Sequence, residues 1–152
     1  MDSIWQATSE MPHFPTLVGD LKKDAVVVGG GMAGLLTAAR LRQAGLDTAV
    51  IERESIASGV TAGTTAKITS QHGLIYDKLI RRFGHERARQ YAHANQRAID
   101  RFWEMAAEIG AQCAMQEMDA YVYSTSGGTK TQREAAAAQS LGIPASLVVK
   151  TD

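Results

Sequence analysis

The apolar positions of this chain change their period along its length, and each change marks an element. Ala25-Val26-Val27-Val28 is an unbroken run after the polar Asp24, and Thr48-Ala49-Val50-Ile51 is a second one. Short continuous apolar runs are what strands buried on both faces of a parallel sheet require. Between them the period is helical. Leu35, Ala38, Ala39 and Leu41 face inward while Arg40, Arg42 and Gln43 stay in water, which predicts a helix from Gly31 to Ala44 that stops at Gly45. Helical spacing returns over Leu74 to Phe83 and over Glu86 to Ile109, where Tyr91, Ala94, Ala98, Phe102, Met105 and Ile109 recur at intervals of three or four, and Gly84 and Gly110 punctuate. Ala120 to Ser124 reads as a strand, Thr129 to Leu141 as an alanine-rich helix, and Ser146 to Val149 as a last short strand. Strand, helix and strand in that order predict an α/β fold with a Rossmann-like core.

The turn between the first strand and its helix carries candidate chemistry. In Gly29-Gly30-Gly31-Met32-Ala33-Gly34, Gly29 lets the chain turn sharply, Gly31 lets a pyrophosphate approach the backbone, and Gly34 lets the helix pack closely on the sheet. The amides of Gly31, Met32 and Ala33 are then unpaired donors at a helix N-terminus, whose dipole favours an anion. Glu52 closes the second run, 18 residues beyond Gly34. That is near the roughly 20 expected for a carboxylate accepting from adenosine ribose hydroxyls. A glutamate favours a free ribose over a 2′-phosphate. Glycines also collect in ordinary turns, so a bare βαβ unit is the competing reading; the strand before and the helix after favour the nucleotide site.

Ser55 to Lys67 is rich in small and hydroxyl residues and reads as a ligand-facing loop and helix start. A P-loop is excluded there, because lysine must directly follow the second glycine, whereas Thr64 follows Gly63 and Lys67 comes later. Ordinary helix caps are the competing, less favoured reading of Thr61, Thr64 and Thr65. His85 and His93 read as surface residues without the third ligand of a zinc site. Tyr121 and Tyr123 alternate with Val122, which places one face of that strand toward a substrate at most. Cys113 reads as a small buried hydrophobe.

Composition narrows the classes. At 152 residues and 45% hydrophobic content, the chain can bury one substantial core. Its formal net charge of zero argues against a nucleic-acid or anionic-membrane surface. The single cysteine excludes an internal disulfide and a cysteine-rich metal centre built from this chain alone. With no apolar segment of signal-peptide or membrane-spanning length, a cytoplasmic setting is expected. Residues 1–23 read as a leader strapped over the domain, with Trp5, Phe14 and Leu17 as its expected docking points and prolines discouraging helix; a partly disordered segment is the alternative.

The glycine turn, Glu52-Arg53, Ser58 to Lys67 and Thr69-Ser70-Gln71-His72-Gly73 together resemble the N-terminal half of the D-amino-acid oxidase and glycine oxidase family of FAD-dependent oxidoreductases. Thr61 to Gly73 and Ala120 to Tyr123 particularly resemble bacterial members that carry a C-terminal Rieske iron–sulfur domain. The resemblance implies that Gly29, Gly30, Gly31, Met32, Ala33 and Gly34 hold the FAD pyrophosphate, Glu52 the adenosine ribose, and Arg53 the adenine end. It places Thr61, Thr65, Ala66 and Lys67 against the diphosphate and flavin, and His72 near the isoalloxazine. His72 is the one catalytic candidate, although by itself it reads more readily as a hydrogen-bonded structural histidine. The implied substrate is a small amine or amino acid oxidised by hydride transfer, with the electron acceptor open. Any Rieske [2Fe-2S] cluster would lie outside this chain. Residues 24–110 are then the FAD-binding part and 111–152 the start of a mixed α/β substrate domain. The later flavin-binding segment and most of the pocket are missing, so a fragment, inactive by itself, is expected. The rivals are an NAD-dependent dehydrogenase domain and a truncated, non-catalytic nucleotide-binding module.

Overall fold

A computed structural model describes residues 3–125 and 128–148. The chain forms two compact units, residues 1–67 and 68–152. That division falls inside the stretch 24–110 that the sequence reading treats as one part.

The first unit begins with a short helix α1 (Ile4–Thr8), then strand β1 (Ala25–Val28), helix α2 (Met32–Gln43) and strand β2 (Thr48–Ile51), and closes with a 3-10 turn at Val60–Gly63. β1 and β2 pair in parallel, with Ala25 opposite Thr48 and Val28 opposite Ile51. Asp24 fixes their start: its amide donates to the Asp47 carbonyl at 3.0 Å and its carboxylate accepts from the Asp47 amide at 2.9 Å. Side chains alternate across a strand, so Val27 faces α2 while Val26 and Val28 face away, 49% and 80% exposed. The expectation of a strand covered on both faces is therefore corrected. Ala39, expected inward, is exposed; Ala38 is the buried residue of α2.

The leader also departs from expectation. Ser3 and Gln6 form a capping box that starts α1, and the prolines come after it. Trp5 docks, but Phe14 and Leu17 are 71% and 55% exposed.

The second unit contains α3 (Tyr76–Phe83), α4 (His85–Glu108) and α5 (Thr129–Ser140). Tyr76, Ala88, Ala92, Ala137, Ala138, Leu141 and Ile143 form its core. Small alanines on α4 and α5 allow these helices to close around the one large ring, Tyr76, which is fully buried. Ile75 at the start of α3 has no side chain able to cap it, so the cap comes from α5. The Glu134 carboxylate, only 4% exposed, accepts from the amides of Ile75 at 2.8 Å, Tyr76 at 2.7 Å and Asp77 at 3.0 Å. These are helix-start donors that would otherwise be unpaired, and the negative charge suits the positive end of the helix dipole.

The strands expected at Ala120 to Ser124 and Ser146 to Val149 do not form among the described residues; Val149 lies outside them. β-branched and aromatic residues favour strands only where a neighbour offers a ladder, and none pairs here. Cys113 is exposed rather than buried. No helix among the described residues is long and apolar enough to cross a membrane.

Candidate dinucleotide site

The site is built where β1 turns into α2. The Gly29 amide donates to the Ile51 carbonyl at 2.8 Å, extending the ladder by one bond before the chain leaves the sheet. Gly29 has φ +104°, a conformation that L side chains rarely adopt. Gly34 is needed for a different reason. A Cβ there would overlap the Gly29 carbonyl oxygen and lie 3.1 Å from its carbon and 3.4 Å from Val27 Cγ1. The first turn of α2 is thus pressed onto the turn that precedes it. Gly31 has ordinary extended angles, φ −77° and ψ 179°, and a Cβ would meet only Thr61 Oγ1, at 3.5 Å. What glycine preserves at that position is open space in front of the helix.

That space faces unpaired donors. Leu35 is the first α2 amide to bond back, to the Gly31 carbonyl at 2.9 Å. Gly31 provides no side-chain cap, and the amides of Gly31, Ala33 and Gly34 take no partner among the described residues. The 3-10 turn brings Thr61 to the same point, where its Oγ1 accepts from the Met32 amide at 3.1 Å. A hydroxyl that accepts keeps its own proton to donate, so Thr61 extends the positive end of the helix outward.

Glu52 braces the turn. Its Oε2 accepts from the Gly30 amide at 2.7 Å, and its Oε1 accepts from the Arg53 amide at 2.7 Å and the Glu54 amide at 3.1 Å. These donors, the Gly30 amide foremost, hold its carboxyl below the ordinary carboxylate range. A carboxylate oxygen has two acceptor sites, so Oε2 retains one for a ribose hydroxyl.

Gly30 is placed differently from its neighbours. It is buried, its carbonyl accepts from the Ala57 amide at 2.8 Å, and a Cβ on it would lie 2.9 Å from Ile56 Cγ2 and 3.2 Å from Glu52 Cβ. Its own backbone groups are already paired within the protein. Ile56 and Ala57 therefore support the back of the turn, a role that sequence reasoning missed. No local signal marks Ala57, a non-glycine residue at φ +56°.

The other candidates are less gathered. Arg53 is exposed and paired with Glu54 at 2.9 Å. Thr65, Ala66 and Lys67 are exposed and make no hydrogen bond to the glycine turn among the described residues; Ala66 stands at φ +54° with its amide bonded to Thr64 Oγ1 at 3.2 Å. His72 belongs to the second unit. Its Nδ1 lies 3.0 Å from the Tyr91 hydroxyl, and the Tyr91 ring meets both His72 and Tyr76 edge-on. Tyr76 in turn donates from its hydroxyl to the Ser70 carbonyl, and Gln96 Nε2 donates to Ser70 Oγ at 3.0 Å. His72 is thus paired with Tyr91 within the second unit. Tyr121 and Tyr123 are exposed on irregular backbone, and the Asp119 carboxylate raises the Tyr121 hydroxyl above its ordinary range. No group of three or more histidine, cysteine, aspartate or glutamate residues among those described could hold a metal ion.

The family described as FAD dependent oxidoreductase matches residues 24–152. A protein of Bacillus subtilis (strain 168) named "Putative Rieske 2Fe-2S iron-sulfur protein YhfW" is 38% identical over 149 residues, which is 97% of this chain. The chain spans 29% of the length of that relative. No solved structure matches.

Proposed function

We propose, for a chain that belongs to the FAD dependent oxidoreductase family, that residues 24–67 receive the adenosine diphosphate half of FAD. The observation that carries this reading is the open helix start. Free amides at Gly31, Ala33 and Gly34, a hydroxyl at Thr61 and a side-chain-free position at Gly31 converge on one point. They offer a pyrophosphate donors and room together. Glu52 then orients the adenosine through the acceptor site left on Oε2, while its other bonds keep the glycine turn in shape.

When bound, FAD supplies a hydride acceptor for oxidation of a C–H bond beside an amine, and a small amine or amino acid is the substrate class we infer from the family likeness. The chain's own part is to fix the cofactor's dinucleotide end so that its reactive end is held at a constant place. The name of the Bacillus relative brings a Rieske cluster into this reading as electron acceptor. Its ligands would lie outside the described residues, which hold no such group.

Titration of the chain with FAD, FMN and NAD, followed by flavin fluorescence and calorimetry, tests the reading. FAD should bind and FMN should not, since FMN has no adenosine for Glu52 to read. Gly31→Val should abolish FAD binding while far-UV circular dichroism is retained, because a side chain there fills ligand space without straining φ. Equal affinity for FMN and FAD, or a Gly31→Val chain that still binds FAD, overturns it; NAD binding without FAD binding selects the dehydrogenase rival.

A further inference from the structure

The family match begins at residue 24, so it does not account for the leader. Yet the leader touches the candidate site. α1 is only five residues long, and a helix of that length does not persist in water by itself. It is closed at its start by the reciprocal Ser3 and Gln6 bonds, of 3.0 and 3.3 Å, and it packs on the 3-10 turn at Val60–Gly63. Its long-range anchor is Trp5, whose indole Nε1 donates to the Thr64 carbonyl at 2.8 Å across 59 residues of sequence.

Thr64 is held from two sides. Its carbonyl takes the Trp5 proton and its hydroxyl oxygen takes the Ala66 amide, at 3.2 Å. The next turn of chain needs such restraint, because Ala66 sits at φ +54°, a conformation that a non-glycine residue adopts only when its surroundings impose it. Three residues before Thr64, Thr61 places its hydroxyl on the Met32 amide at the start of α2. Leader, 3-10 turn and helix start thus form one connected series of contacts within the first unit.

We propose that Trp5 is a positioning residue for cofactor binding: the α1 strap fixes Thr64, and through it holds Thr61 at the N-terminus of α2. The proposal rests on the FAD reading for its ligand, but its structural half does not. In a chain without the strap, residues 60–67 sample other conformations, Thr61 leaves the helix start, and the pyrophosphate loses a pre-placed donor.

Trp5→Phe removes the indole donor and keeps an aromatic ring, whereas Trp5→Ala removes both. Hydrogen exchange by mass spectrometry on the whole chain, without ligand, should show faster exchange over residues 60–67 in Trp5→Phe and faster still in Trp5→Ala. Peptides covering β1 and β2 should be unchanged in Trp5→Phe. FAD affinity should fall about five-fold in Trp5→Phe, the worth of one ordinary hydrogen bond. Wild-type exchange over 60–67 in Trp5→Phe overturns the proposal, as does a rise spread equally over β1 and β2, which marks general destabilisation. Wild-type FAD affinity alongside locally faster exchange also overturns it. Should the unmutated chain bind no FAD, the FAD reading fails, and exchange over 60–67 alone decides whether the strap holds Thr61.

Discussion

The two compact units use their residues in opposite ways. In the second, three helices close around Tyr76, and seven buried hydrophobic residues form a continuous core. In the first, Ala38 is the one buried hydrophobic residue among those described, and two of the three consecutive valines of β1 remain exposed. The first unit spends its special conformations on a turn instead: a glycine at φ +104°, an alanine at φ +56°, and a glycine whose Cβ would strike a carbonyl. Both units place a carboxylate on backbone amides, but to different ends. Glu134 is buried and seals a helix start, leaving no room there for a ligand. Glu52 is exposed, braces the turn beside a helix start, and leaves that start open. The lesson is that a helix N-terminus becomes a candidate anion site only where the protein declines to cap it from within.

The strongest way to break this comparison is Gly34→Ala. The added methyl overlaps the Gly29 carbonyl, so α2 must move off the turn, at a cost of about 3 kcal/mol. Hydrogen exchange should accelerate over residues 25–51 and FAD binding should disappear, while α3, α4 and α5 keep their protection. Loss of protection in all elements together would show that the two units do not behave separately. The second unit is probed by Glu134→Ala, which leaves three helix-start amides, that of Tyr76 buried and those of Ile75 and Asp77 partly so, without an acceptor and should lower stability by about 2–3 kcal/mol. Denaturant unfolding followed by near-UV signal from Tyr76 and Tyr91 reads this, and FAD affinity should not change. A change under 0.5 kcal/mol, roughly the size of a neutral surface substitution, would remove Glu134 as the cap.

A smaller effect sharpens the role of Glu52. Glu52→Gln turns an amide group toward donors that a carboxylate accepts, and FAD affinity should fall about ten-fold with the fold intact. The same carboxylate sets a pH dependence. Its folded value lies below its ordinary 4.5, so its contribution is complete above 4.5 and is lost as pH falls through the lower folded value. FAD affinity should therefore be level from neutral pH down to that point and decline only below it. A decline well above pH 4.5 that is abolished in Glu52→Gln would contradict the bracing geometry.

Much of this protein follows from local sequence, because local sequence controls local backbone. Helices α2 to α5 begin and end within two residues of where apolar period and glycine punctuation place them, α2 at Met32–Gln43 and α4 at His85–Glu108, whereas α1 forms where no period marks it. Gly45, Gly110 and Gly142 close three helices in left-handed geometry, each with the following residue bonded back to the last turn. Gly29 and Gly34 follow from local sequence for the same reason, since each answers a constraint set within a few residues, whereas Gly30 is confined by Ile56 and Glu52 from farther along the chain. Tertiary structure decided what depends on partners far along the chain. Val26 and Val28 look like core, yet their burial depends on whether anything covers that face. Ala120 to Ser124 has strand composition but no ladder. The Glu134 cap reaches 58 residues, the Trp5 anchor 59, and the Thr61 hydroxyl 29 to the helix start it extends. A hydrogen bond between distant residues leaves no periodicity in the sequence, because only the fold determines which donor meets which acceptor.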